Sequence, residues 1–102
     1  MADSDKINCR TPASLNGSGT NIPRWKYDAI RHAVLTVLRR SGAEGLMFKD
    51  LEDAARQELD EKVLIQIGSL AWHVTTVKLN MEVEGDIKRV KGSSPQRLIS
   101  LV

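Results

Sequence analysis

Leu70, Val74, Val77 and Met81 recur at steps of four, three and four, the interval at which one face of a helix returns. Ser69 can cap that helix and Gly85 can end it, so the pattern predicts a helix over about Ser69–Glu84. Upstream, Ile30, Ala33, Val34, Val37 and Leu38 make a second stripe of the same period, and Tyr27 extends it by a step. With Asn21 as cap, Pro23 in the first turn and Ser41-Gly42 at the end, a first helix runs from about Arg24 to Arg40. Between them, Phe48, Leu51, Ala55 and Leu59 mark a helix over Lys49–Leu59, preceded by a three-residue strand, Leu46-Met47-Phe48. Residues 60–68, DEKVLIQIG, mix β-branched residues with a closing Gly68 and read as a connector with one helical turn. After Gly85 the period changes. Residues 86–90 and 96–101 read as two short strands about the turn Gly92-Ser93-Ser94-Pro95.

Helix, strand, tight loop, strand is the closing half of a winged helix. The expected fold is therefore α+β: three helices with a small antiparallel β-sheet, the wing. Residues 1–22 are rich in Ser, Asn, Gly and Thr, with Ile7, Leu15 and Ile22 as their only large aliphatics. They read as a flexible N-terminal arm, and residues 23–102 as the winged-helix domain.

The third helix is unusual for a groove reader. At 100° per residue, Leu70, Val74, Val77 and Met81 fall within about 60° of one another, and Trp72, Thr76, Leu79 and Val83 fall opposite them. A helix apolar on two sides is expected to be covered on both, by the arm, by the 60–68 connector or by a second subunit.

Length and composition narrow the picture. One hundred and two residues with 41% hydrophobic content make one small domain. Cys9 is the single cysteine, so there is no intramolecular disulfide and no cysteine zinc cluster, which suits a cytoplasmic protein. No apolar run approaches the roughly 18 residues of a membrane span, and the N-terminus lacks the apolar core of a signal peptide. The net charge of +2 is unevenly spread. Residues 23–42 carry +4 and residues 43–68 carry −4, while residues 69–102 carry +2. Such blocks can attract one another within a fold as readily as they can bind a partner.

Trp72, the run Val77-Lys78-Leu79-Asn80-Met81-Glu82-Val83-Glu84-Gly85, then Ile87, Arg89, Pro95 and Arg97-Leu98 resemble a small uncharacterised bacterial protein family of winged-helix type. Thr11-Pro12 and Lys26-Tyr27 extend the resemblance over about Thr11–Leu101. It implies a fold and transfers no catalytic residue. Val77 through Arg89 is also similar to the recognition helix and first wing strand of many bacterial transcription factors. Those have a large aliphatic after the glycine; this chain has Asp86.

Catalytic signatures are absent: there is no GxSxG, HExxH, P-loop or Rossmann glycine pattern, and His32 and His73 stand far apart. The chain is expected to be no enzyme and to need no cofactor or metal. Double-stranded DNA is the leading partner class. Lys88, Arg89, Lys91 and Arg97 cluster in and beside the wing, where cations contact phosphate. Thr75, Thr76, Lys78 and Asn80 are polar residues the third helix can offer to bases, although Glu82, Glu84 and Asp86 beside them repel phosphate. The alternative is a protein-interaction or dimerisation module using Trp72, Leu79 and Val83, with a second copy or another protein as partner.

Overall fold

The computed structural model describes residues 5–14 and 19–102. Two strands open the chain. Strand β1 (Lys6–Cys9) pairs antiparallel with β2 (Thr20–Pro23), Ile7 opposite Ile22 and Cys9 opposite Thr20. Between them Pro12–Ser14 form a 3-10 turn. Ile7, Cys9 and Ile22 share one face of this ribbon and pack on the core, Cys9 and Ile22 fully buried. Asn8 and Asn21 share the other face and are bonded side chain to side chain at 2.9 Å. A two-stranded ribbon is marginal alone, and this one is held by packing against two helices, α1 (Arg24–Ser41) and α4 (Leu70–Glu84).

Where composition leads to the expectation of a flexible arm, the described residues form a ribbon packed on the core. Polar composition hid a period-two pair of apolar positions, and the ribbon crosses the 22/23 boundary that was to separate arm from domain. Residues 1–4 and 15–18, including Leu15, lie outside the described residues.

Helix α1 buries Tyr27, Ile30, Ala33, Val34, Val37 and Leu38 as its stripe predicts, and Leu35 as well. The Gly42 N–H bonds back to the carbonyls of Leu38 and Arg39. A short 3-10 turn, Gly42–Glu44, leads to β3 (Leu46–Met47). Gly45 holds φ +74°, and a Cβ there would lie 2.5 Å from the Leu98 carbonyl oxygen, so the chain can approach its sheet neighbour only as glycine.

Helix α2 (Phe48–Gln57) buries Leu51 and Ala55. The expected connector contains a helix of its own, α3 (Glu61–Ile67). The Asp60 side chain accepts from the Lys62 N–H at 3.0 Å as its cap. Three β-branched residues in seven, and a length far below what stands alone in water, make this helix illegible from propensity. Ile67, fully buried, and the partly buried Val63 and Leu64 hold it to the core. In α4 the Ser69 Oγ accepts from the Trp72 N–H at 3.2 Å. Gly85 closes the helix in the left-handed conformation, φ +82°.

Strand β4 (Ile87–Arg89) then pairs with β5 (Arg97–Ser100), Lys88 opposite Ile99, and β5 pairs on its other side with β3. The sheet order is β3-β5-β4. Among the described residues the fold is thus α+β with four helices and two small antiparallel sheets, one helix and one sheet more than expected. The core lies between α1, α2 and α4, with Ile87 and Leu98 closing it from the three-stranded sheet.

Candidate nucleic-acid interface

The predicted core stripe of α4 is buried throughout: Leu70, Val74, Val77 and Met81. Lys78 and Asn80 lie about 80° to either side of Leu70, and both are buried, each 2% exposed. Of the residues expected to be offered to bases, these two thus lie inside the protein.

Lys78 is enclosed by a carboxylate and an aromatic ring. Its ammonium is 2.8 Å from Oε2 of Glu82 and stands over the Phe48 ring, 4.7 Å from its centroid. Burial lowers the Lys78 pKa; the Glu82 carboxylate opposes that shift and the Arg89 charge adds to it. Asn80 is on the other flank. Its Nδ2 donates to the Tyr27 hydroxyl at 2.9 Å, and its Oδ1 accepts from the Arg10 N–H at 3.0 Å. One amide therefore joins α4, α1 and the N-terminal segment.

The remaining candidates stay at the surface. Thr75 is exposed and Thr76 half-buried. Lys88 and Lys91 are exposed, and neither forms an ion pair among the described residues. Arg89 is exposed but engaged, its Nε donating to Glu82 Oε1 at 2.8 Å. Arg97 is half-buried, with Nη1 3.5 Å from the Glu44 carbonyl oxygen. The structure thus brings Lys88, Arg89, Lys91 and Arg97 onto one hairpin, and of the four Arg89 alone is ion-paired among the described residues.

On the other proposed face Trp72 is 46% exposed, its ring edge-on to His73 at 4.8 Å between centroids. Leu79 and Val83 are half-buried, and β1 and the 3-10 turn pack against this helix. A groove of about 210 Å³ lies between α2 and α4, lined by Phe48, Lys49, Glu52, Ala71, Val74 and Thr75.

Asp86, the departure from the transcription-factor pattern, has a partner. Its Oδ2 accepts from Arg31 Nε on α1 at 3.0 Å, a bond that raises the Arg31 pKa. Position 86 thus fastens the start of the hairpin to α1 by charge rather than by an aliphatic contact. Sequence reasoning treated Glu82 and Asp86 only as repulsive to phosphate. The i,i+4 spacing of Lys78 and Glu82 was the visible sign of one pairing; nothing local signals the other.

Among the described residues no group of His, Cys, Asp and Glu could hold a metal ion, and no helix is long and apolar enough to cross a membrane. Residues 6–98 match the model of a family of unknown function, DUF6958. No curated protein and no solved structure matches the chain.

Proposed function

This chain belongs to the family of unknown function DUF6958, and we propose that it is a non-catalytic winged-helix module that grips double-stranded DNA by its backbone. The β3-β5-β4 order of the sheet, with α4 entering it through Gly85, supports the winged-helix reading; α3 is an added short helix before the third helix of that plan. The observation that carries the DNA reading is the exposed Lys88 and Lys91, two cations on the wing without ion partners among the described residues. Such cations release counterions when they meet phosphate, which supplies affinity without sequence information. Thr75 and Thr76 add hydroxyls for phosphate or base edges. With Lys78 and Asn80 internal, α4 has little with which to discriminate bases, so binding is weakly selective. With this reading goes a bacterial cytoplasmic location, as the resemblance and the single cysteine lead one to expect.

Titration of a labelled duplex with the full chain, from low to physiological salt, tests this. The log–log slope is expected to be near −0.9 per phosphate neutralised. Lys88→Ala/Lys91→Ala should flatten it by about 2 units and lower affinity on every sequence alike. Absence of duplex binding at low salt and high protein concentration overturns the reading.

A second reading, protein contact or self-association, is favoured by Trp72, which is 46% exposed beside the exposed Ala71. Exposed apolar surface of this kind commonly marks a partner site. Concentration-dependent sedimentation abolished by Trp72→Asp would support it; a monomer at all concentrations removes self-association.

A further inference from the structure

Glu82 sits where three elements meet. From α4, its Oε2 lies 2.8 Å from the Lys78 ammonium, which is stacked over Phe48 at the start of α2. Its Oε1 accepts from Arg89 Nε of β4, also at 2.8 Å. The Glu82 side chain is 8% exposed and that of Lys78 2%, while that of Arg89 is 51% exposed. One carboxylate thus holds two cations, one from within and one from solvent. A buried carboxylate needs its lone pairs filled, and losing a partner is costly because the remaining charge stays desolvated. Arg89 is therefore held on α4 by the same group that neutralises the core lysine.

The consequence falls on the wing. Strand β4 is three residues long and lies at the edge of its sheet, paired among the described residues with β5 alone. Beyond that ladder and the burial of Ile87, the Glu82–Arg89 contact ties it to α4. Arg89 stands next to Lys88 in sequence, yet its guanidinium is directed back onto the helix.

We propose that Glu82 is a positioning residue for the wing: through Arg89 it clamps β4 to α4, and it keeps Arg89 out of the phosphate-contacting set formed by Lys88 and Lys91. The second half rests on the DNA reading; the first does not. Four variants of the full chain separate the two, each followed by amide exchange of β4 and β5 and by the salt dependence of duplex binding. Arg89→Ala, a surface change, should make the β4 amides exchange roughly tenfold faster and leave the salt slope unaltered. Lys91→Ala should do the reverse, with exchange unaltered and the slope flatter by about 0.9. Glu82→Gln should speed exchange and steepen the slope by about 0.9, because Arg89 is released to phosphate. Glu82→Gln/Arg89→Ala should return the slope to its original value. If Glu82→Gln does not fold, Lys78→Met/Glu82→Leu fills the buried volume with apolar side chains and is expected to give the same two effects. Unchanged β4 exchange in Arg89→Ala overturns the clamp. An Arg89→Ala slope flattened like that of Lys91→Ala overturns the exclusion of Arg89 from phosphate. If the unaltered chain binds no duplex, the DNA reading fails and the exchange measurements alone decide the clamp.

Discussion

Lys78 has an apolar stem and a charged tip, and the protein treats the two separately. The stem fills space between α2 and α4, and the tip receives a carboxylate and an aromatic face, the two neighbours that make a buried ammonium tolerable. Cys9 shows the opposite case, a buried ionisable group with no counter-charge among the described residues. Burial pushes its thiol up from 9.0 to about 11. The folded chain therefore holds that proton more tightly than the unfolded chain. The associated stability is fully present below pH 9.0 and is lost as pH rises toward about 11. Tyr27, raised mainly by burial, acts in the same sense. Lys78, lowered mainly by burial, acts in the other, since the unfolded chain binds its proton more readily and stability rises with pH through its window below 10.5. The expected outcome is that, between pH 9.0 and about 11, the original chain loses about 2 kcal/mol more than Cys9→Ala does. Urea melts of both proteins across that window measure it.

At the scale of elements, the N-terminal ribbon and α3 share one physical character. Each is too short or too polar to persist alone, and each is held by a few buried apolar side chains together with polar contacts. For the ribbon one such contact is Asn80, whose amide is satisfied by the Arg10 N–H and the Tyr27 hydroxyl. Asn80→Ala strands the buried Tyr27 hydroxyl and the part-buried Arg10 N–H, and an orphaned buried group costs its desolvation as well as the bond. The expected loss is about 2–3 kcal/mol in urea melts, with the β1 amides losing exchange protection before those of β4 and β5. Equal loss of protection in the two sheets would contradict the fastening role.

For the whole molecule, the alternating charge blocks of the chain find one another in part. Arg40 at the end of α1 meets Glu58 after α2 at 3.2 Å, and Arg31 in mid-helix meets Asp86 at the start of the hairpin. The first pair is largely exposed and contributes little; the second is more enclosed and links the helical layer to the three-stranded sheet. The ribbon closes this assembly, since Cys9 and Ile22 belong to the same core as Ile30 and Met81. Deleting residues 1–22 removes both from the core and also takes the Arg10 N–H from Asn80 Oδ1. The melting temperature should fall by more than about 10 °C, or the domain should fail to fold. A deletion that melts with the full chain would mean that residues 23–102 form a self-sufficient domain.

What the sequence determined by itself was whatever depends on neighbours along the chain. The stripes of α1 and α4, the Ser69 cap, the stop at Gly85 and the pairing of the last two strands about the Gly92–Pro95 turn follow from period, capping and turn chemistry, all local. The directions of Lys78 and Asn80 were not legible. Each lies about 80° from the centre of the α4 stripe, a border position where a helical wheel is undecided. Phe48 on α2 covers one flank and the Arg10 segment with Tyr27 covers the other, so tertiary packing made both residues internal. The same holds for β1, β2 and α3, whose order exists only against the core they help to bury. Of the proposed DNA-facing residues, Lys88 and Lys91 were legible as wing cations. That Arg89 is held by Glu82 while those two have no ion partner among the described residues was decided by where α4 and β4 meet, a separation no local pattern encodes.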